Sequence, residues 1–591
     1  MINMVYPSDY ENKTGFDRIR AQVRGKCTTD GGRALLDGEG FSASAGEIAH
    51  RLSLCSELQE ILMLESGFPL QEYTDIGPVA RKIEVACTFL DIEDMIALRA
   101  GLGAVNEITV FLAAKEEGRY PVLRGLAQGV ESFPEITGHI DTILDRYGKI
   151  KDSASPELYT IRRTIRDREG QVSKRLQAIL SKAQKDGYAD ADAAVSIRDG
   201  RAVIPVSAAN KRKINGFIHD ESATGKTFYI EPVEIVEINN ELKELEYAER
   251  REVVRILTAF TDRIRPDAPG IARAGEYLAC MDMIRAKARW AAENECVKPV
   301  LSEEGTLWLR SARHPLLRQT LAREGKQVVP LDLKLDRGRR MLVISGPNAG
   351  GKSVCLKTVG LLQYMFQCGF PVPVLENSEF PVFDGIFIDI GDEQSIDNDL
   401  STYSSHLLNM KHMLAGAGSG SLVLIDEFGS GTEPVIGGAI AEAILERFVE
   451  TGTYGVITTH YSNIKYFAGS HEGVENGAMM FDVQNIRPLF RLQMGEPGSS
   501  FAVEIARKIG LPAQIIDAAS RKAGSDHTNL EKQLRDIARD RRYWEQKRDR
   551  IRITDRKVEE LEQTYARQLA DIKQERNRIP VSYTHLTLPT T

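Results

Sequence analysis

Cysteine is scarce and unpatterned. The seven cysteines, Cys27, Cys55, Cys87, Cys280, Cys296, Cys355 and Cys368, are odd in number and form no CxxC pair. That argues against a disulfide framework or a cysteine zinc site and points to a reducing compartment. An excess of positive charge is also missing. Against 84 acidic side chains stand 76 basic ones, a formal net charge of −8. The chain is therefore no histone-like polycation, and any contact with nucleic acid must come from a local basic patch. No apolar run of about 18 residues is free of charges, so no membrane span is expected. The opening residues MINMVYPSDYENKTGFDRIR lack the basic-then-apolar order of a secretory signal. A cytoplasmic protein is expected. What is present is ordinary globular material, 42% hydrophobic and 27% charged over 591 residues, enough for about three to five domains.

Hydrophobic spacing divides the chain. Residues 1–150 read as helices joined by short Gly/Pro/Asp breaks, for example Gly46–Ser66 and Pro78–Ala100, the latter ending at Gly101. Residues 151–265 read as two long helices around a β-rich tip at about 194–232. The first helix starts at Ser155-Pro156-Glu157, where serine suits an N-cap and proline the first turn. The tip carries β-branched and aromatic residues around the turn signals Asp199-Gly200 and Thr224-Gly225. Returning helices are expected over 266–301. Over 302–520 strands and helices alternate, with short buried strands at Met341–Ser345, Gly385–Ile390, Leu422–Ile425 and Gly455–Thr458, so a mostly parallel sheet is expected. Residues 521–580 hold 17 basic and 12 acidic residues, with Ile537, Trp544, Ile551, Val558, Tyr565 and Ile572 at a coiled-coil period of seven. The uncharged run 581–591 breaks this text abruptly and reads as a non-native tail.

The chemistry is concentrated in two motifs. Gly346-Pro347-Asn348-Ala349-Gly350-Gly351-Lys352-Ser353, followed by Val354, fits GxxxxGK[ST] between an apolar strand and a helix. Such a loop wraps phosphates with backbone N–H groups, the lysine reaches the β/γ phosphates and the serine holds Mg²⁺. Ser421-Leu422-Val423-Leu424-Ile425-Asp426-Glu427 is an apolar strand ending in two acids. Asp426 is the candidate Mg²⁺ partner, and Glu427 the candidate base for the attacking water. Thr458-Thr459-His460 ends the next strand, where a histidine can sense the γ-phosphate. Gly429–Pro434 follows the two acids as a turn-rich loop, where the ABC/MutS/SMC group of NTPases, which the Asp-Glu pair resembles, places a dimer contact. Ser401 opens a helix, where a hydroxyl and the helix dipole suit a phosphate offered across a dimer.

In these segments the sequence resembles the MutS ATPases, in particular the bacterial type-two branch linked to anti-recombination and rescue of collided ribosomes. The resemblance runs to about residue 578. It is carried by GPNAGGKS, DIGDEQSIDNDLSTYSSHL, LVLIDEFGSGTEP and ITTHYSNIK, and in the arm by RDGRAVIPV and KRKINGFIHDESATGKTFYIEP. It implies a multidomain α + α/β fold: a helical core with long lever helices and a small β-rich clamp, then an ABC-like P-loop ATPase with a mostly parallel sheet, then the helical, coiled-coil segment. It also implies a homodimer with composite ATP sites, Ser401 reaching the partner's nucleotide, and Val328 and Val329 where the family packs residues against adenine. Neither valine is aromatic. Glu496 to Pro512 resembles the segment that closes the dimer. No N-terminal mismatch reader has room before the P-loop, and Phe133-Pro134-Glu135 lies mid-chain. The branch normally carries a C-terminal small-MutS-related domain with nuclease activity. Nothing of that length follows residue 580, so this chain is expected to lack it.

For nucleic acid, DNA or ribosomal RNA, the best local cluster is Lys211-Arg212-Lys213 in the tip, with Arg198, Arg201 and Lys226 nearby. Such contacts are salt-sensitive and sequence-independent. The expected function is an ATP-dependent clamp. The rivals are a clamp that binds ATP without turnover, a nuclease, and an SMC-like ATPase. The last is disfavoured by the short separation of 74 positions (426 − 352) from Lys352 to Asp426, too few for a long intervening coiled coil.

Overall fold

The computed structural model describes residues 4–69, 71–198, 200–347, 350–391, 402–482, 485, 487–499, 502–519, 521–522 and the isolated positions 547, 551 and 554. The expected coiled coil and tail fall almost wholly outside these residues. Residues 1–19, 40–52 and 293–591 form one compact unit, and 20–39 and 53–292 a second.

The first unit is built on a seven-stranded sheet. Its strands run in the order Met4–Tyr6, Gly385–Asp389, Ser421–Ile425, Tyr454–Thr458, Arg339–Ser345, Gly473–Asp482, Arg487–Met494. Neighbours pair in parallel except the last, which is antiparallel. The expected strands lie within two residues of these bounds. Every residue of the three strands from 385, 421 and 454 is buried, as a parallel sheet covered on both faces requires. Alternation sorts the side chains. Val423, Ile425 and Ile457 share a core with Met413, Leu445, Phe448 and Phe467 of the helices Thr402–Gly416, Pro434–Glu450 and Ser462–Ser470. Leu424 and Ile388 face the helix Lys352–Gln367 instead, meeting it at Gly360. A second, four-stranded sheet in this unit runs Val300–Leu301, Glu379–Phe380, Leu307–Ala312, Leu331–Leu335.

Several boundaries differ from expectation. Residues 4–19 and 40–52 do not group with the rest of the helical core assigned to 1–150, nor do 293–301 with the returning helices. Met4, Val5 and Tyr6 pair with Gly385, Ile386 and Phe387. Tyr10 donates to Gly360 O at 3.0 Å, and Phe16 packs edge-on against Tyr364 and Phe370. A three-residue strand is too short to show a period, and its partner lies 381 positions on (385 − 4).

The second unit is helical with a small sheet. The helices Pro156–Lys185 and Val233–Ile264 run antiparallel. Their register is visible in a ladder: Ser155 Oγ to Glu252 Oε1 at 2.5 Å, Arg162 Nε to Glu249 Oε1 at 2.7 Å, Arg168 Nε to Glu241 Oε2 at 3.1 Å and Arg175 Nη1 to Glu234 O at 3.4 Å. Ser155 Oγ also accepts from Leu158 N at 3.0 Å, so one hydroxyl caps its own helix and ties it to the other. Exposed ion pairs contribute little each. The holding force is the apolar cluster in which Val172, Leu176, Leu180 and Ala183 meet Ile204, Val206, Ile230, Ile235 and Ile238. Between the helices lie the strands Ser196–Arg198, Arg201–Ser207, Gly216–Glu221 and Thr227–Pro232, paired antiparallel. The expected tip and both its turn glycines are there. The return follows as one helix, Ala268–Glu293.

The expected helix Pro78–Ala100 is two helices, Gly77–Glu84 and Ile92–Ala113. Asp91 starts the second with a reciprocal capping box to Asp94. That helix runs straight through Gly101. A Cβ there would lie 2.3 Å from Ile76 Cγ2 and 3.2 Å from Thr74 O, so the glycine permits close packing rather than ending a helix. Among the described residues Ile92–Ala113 is the one helix long and apolar enough to cross a membrane by length and composition. Its Met95, Leu98, Leu102, Val105, Ile108 and Leu112 are buried in the helical unit. Gly103, two residues on, has open space beyond its Cα. Gly101→Ala should destabilise this unit by about 1–3 kcal/mol, and Gly103→Ala should stabilise it by about 0.5–1 kcal/mol. Urea unfolding followed by far-UV circular dichroism reads both, and equal shifts of one sign would contradict the packing described.

Candidate functional site

The glycine-rich candidate phosphate loop lies between the strand Arg339–Ser345 and the helix Lys352–Gln367. Gly346 and Gly351 adopt φ of +136° and +92°, which side chains resist. The Lys352 side chain is almost fully buried. Its Nζ donates to Gly346 O at 2.7 Å and meets His460 Nε2 at 3.3 Å. An ammonium only donates, so Nε2 is the acceptor and the imidazole proton sits on Nδ1. Burial pushes the Lys352 pKa down to about 8, with Glu427 and Asp426 pulling the other way. Burial, then the charges of Lys352 and Lys465, also hold His460 below its usual value. The pair is thus a buried ammonium leaning on a neutral imidazole. Of the remaining loop candidates, Asn348 and Ala349 lie outside the described residues, as does Ser401.

The acidic strand end is organised by Thr458, which sequence reasoning quoted only as a neighbour of His460. Its hydroxyl donates to Asp426 Oδ1 at 2.5 Å and accepts from Glu427 N at 2.8 Å. Phe428 N donates to Thr458 O at 2.8 Å. Glu427 has φ of +48°, a left-handed conformation that costs a non-glycine residue about 1 kcal/mol or more. Asp389, buried on the neighbouring strand, receives His406 Nδ1 at 2.6 Å and Asn409 Nδ2 at 2.8 Å. Asn409 Oδ1 in turn accepts from Tyr6 OH at 2.6 Å. Asp389, His406, Asp426 and Glu427 line one small cavity. Ser353 and Asp426 offer a hydroxyl and a carboxylate. Hard oxygen donors of this kind suit Mg²⁺, which takes its other ligands from water and phosphate. Among the described residues no group of three His, Cys, Asp or Glu side chains could hold a metal ion.

The segment after the antiparallel strand closes back on the loop. Gly498 N donates to Ser345 Oγ at 2.7 Å and Gly498 O accepts from Lys465 Nζ at 3.0 Å. A Cβ at Gly498 would stand 2.5 Å from Ser345 O, so only glycine permits this approach. Beside the loop an apolar cavity of about 320 Å³ is lined by Val328, Val329, Val354, His314, Met479 and Phe490, among others. Val328 and Val329, the candidates for packing against a base, both line it. The aromatic they lack comes from Phe490, on the antiparallel strand at φ of +53° and half exposed. No sequence signal marked Phe490 or Met479, which reach the cavity only through strand pairing.

At the tip the six basic candidates separate. Arg198 pairs with Asp220 at 3.0 Å and lies over the Tyr229 ring. Arg201 binds both oxygens of Glu231 at 2.8 and 2.9 Å and also reaches Asn240. Burial opposes ionisation of Glu231, but Asn239, His219 and Arg201 outweigh it and hold its pKa below the usual value. Those two arginines are paired within the tip. Lys211 stacks its ammonium over Phe228 at 4.4 Å. Arg212, Lys213 and Lys226 have no ion-pair partner among the described residues. Ala208 N donates to Lys226 O, which brings Lys226 close to the 211–213 turn.

The model of MutS domain V matches residues 342–525, the stretch holding both acidic and phosphate-loop motifs. Among curated relatives, the protein named Endonuclease MutS2 of Alkaliphilus metalliredigens is 36% identical over 548 residues, covering 92% of this chain and 68% of the relative. Those of Pelotomaculum thermopropionicum and Halothermothrix orenii, of the same name, are 37% and 34% identical over 89% and 95% of this chain, and 66% and 71% of their own lengths. The chain spans about two thirds of the length of these relatives. On the motifs and on this identity along nearly its whole length, the chain belongs to the MutS family, in its type-two branch.

Proposed function

We propose that this chain is an ATP-hydrolysing clamp that works as a cytoplasmic homodimer on nucleic acid, either branched DNA or the ribosome with its rRNA. The observation that carries the reading is the convergence of Lys352, His460, Asp426 and Glu427 at the ends of neighbouring parallel strands, with Thr458 holding both acids. In this reading loop 346–353 binds the phosphates of ATP, and Lys352 turns from Gly346 O to the β/γ oxygens. Ser353 and Asp426 would hold Mg²⁺, which neutralises phosphate charge. Glu427 orients and polarises the attacking water. His460 contacts the γ-phosphate. Phe490 and the two valines enclose the base.

Dimerisation would bring Ser401 to the partner's nucleotide. The helix following the Gly429–Pro434 loop supports this, because its first turn exposes Val435 at 76% and Ile436 at 60%. Apolar exposure of that extent next to a charged site suits a subunit contact. Lys211, Arg212, Lys213 and Lys226 would meet phosphates. A second reading is nuclease activity, which the name Endonuclease MutS2 attributes to the relatives.

Glu427→Gln should lower ATP turnover about 10²–10⁴-fold while retaining nucleotide binding. Phosphate release by the unmodified protein no faster than by this variant would favour a clamp without turnover. The sign of the pH effect follows from Lys352. Phosphates bind its charged form, and burial holds its pKa near 8. Nucleotide affinity should therefore be flat below about pH 8 and weaken above it, by up to about tenfold per unit. Titration from pH 7 to 9 checks this, and an unchanged Kd would contradict it. Lys211→Ala/Arg212→Ala/Lys213→Ala should weaken binding to four-way DNA junctions or collided ribosomes. It should also reduce the salt slope by up to about three, whereas Arg201→Ala should act on stability instead. Whichever substrate loses binding identifies the target. Loss on neither would remove the tip from the interface.

A further inference from the structure

The apolar cavity assigned above to the purine base shares a wall with a second cavity of about 400 Å³. His314, Leu317 and Val354 line both. The second is about half polar, whereas the first is mostly apolar. Thr14 and Arg18 reach it from the N-terminal segment, Thr320 from the helix Pro315–Arg323, and Lys357 from the second turn of the helix that follows the phosphate loop.

Among the described residues neither Arg18 nor Lys357 has a hydrogen-bond or ion-pair partner. The nearby Glu11 carboxylate accepts from Tyr364 OH at 2.8 Å, and Asp17 forms no ion pair with Arg18. His314 feels both cations. Burial first, then the charges of Lys357 and Arg18, hold its pKa down at about 4, so it is neutral. Its Nδ1 accepts from Leu317 N at 3.4 Å, which leaves the proton on Nε2 as a donor. The wall therefore offers two uncompensated positive charges and a neutral N–H donor, while the Thr14 and Thr320 hydroxyls donate to Tyr10 O at 2.9 Å and Leu316 O at 3.0 Å. Like charges facing one concave surface repel unless an anion joins them. Arginine and lysine together are the usual partners of a phosphate.

The position of this cavity says how such a phosphate would be carried. With the 5′ phosphates in loop 346–353 and the base beside Phe490, the ribose must pass between them. Val354 is the residue that follows the loop and belongs to both cavities, so the ribose edge lies against the shared wall. We propose that the second cavity is an anion subsite for a phosphate on the 3′ oxygen of the bound nucleotide. The site would then take a nucleotide phosphorylated at both ends of the ribose in preference to one phosphorylated at the 5′ end alone. This rests on the nucleotide reading given above.

The test is calorimetric binding to the whole chain of three probes: adenosine 5′-diphosphate, the same nucleotide carrying a 3′-phosphate, and inorganic pyrophosphate. Each is measured with the unmodified protein and with Arg18→Gln/Lys357→Gln. Two charge-assisted contacts should make the 3′-phosphorylated nucleotide bind at least about tenfold more tightly. The double variant should lose that gain while its affinity for adenosine 5′-diphosphate stays unchanged, which also shows that it is folded. Equal or weaker binding of the 3′-phosphorylated form overturns the subsite and leaves the nucleotide reading standing, as does a gain that survives in the double variant. Failure of adenosine 5′-diphosphate itself to bind overturns the nucleotide reading, and the subsite with it. Pyrophosphate that binds alongside adenosine 5′-diphosphate, yet is displaced by the 3′-phosphorylated form, would mean that a free anion fills the cavity, and the ribose-borne form would be wrong.

Discussion

Parallel pairing in fixed register is what the candidate site of this protein depends on. Asp389 stands opposite Ile425, Ile425 opposite Ile457, and Thr458 opposite Ile344. Four strands therefore stop in step, and the residues that follow them emerge side by side: the phosphate loop, the two acids, and His460. A crevice beyond the carboxyl ends of parallel strands is where ligands gather in such sheets. A slip of one residue would send each side chain to the opposite face. The fully buried strands on both sides make that slip costly, and so the burial of Val423, Leu424 and Ile457 is also what aims Asp426 and Glu427.

The site is held under some strain. Lys352 is buried deeply enough to hold its charge less firmly than usual, and Glu427 sits in a left-handed backbone conformation. Both are local costs that the surrounding sheet over-determines. Thr458 carries much of that burden, since one hydroxyl serves both acids. Removing Thr458 would free two backbone and side-chain groups at once, which is why its contribution exceeds that of a single hydrogen bond.

How much could be read beforehand follows from how local each signal was. The strands around 343, 423 and 456 were legible because each is a continuous apolar run ending at a chemically marked residue. The helix at Pro156 was legible because Ser155 caps it. Gly101 misled, because a glycine that ends a helix and one that lets a neighbouring segment pack closely look alike without the neighbour, here Ile76. Phe490 was invisible for the same reason: its cavity exists only once the hairpin is paired. The basic tip shows the limit of counting charges. Arg198 and Arg201 sit in the same short stretch of sequence as Lys211, yet Asp220 and Glu231, brought across by strand pairing, take up their charge.

The strand Met4–Tyr6 has a consequence for the order in which the molecule assembles. Its partner is made 381 residues later (385 − 4), and residues 53–292, nearly all of the helical unit, are interposed in the sequence. At about 5–20 residues per second, the edge strand waits on the order of 20–80 s for the sheet it belongs to. Its Tyr6 and the following Tyr10 and Phe16 are exposed through that interval, while the helical unit can already fold around mostly local contacts. The sheet that carries the phosphate loop is thus among the last parts of the chain to close, and its edge is the part most open to mispairing on the way.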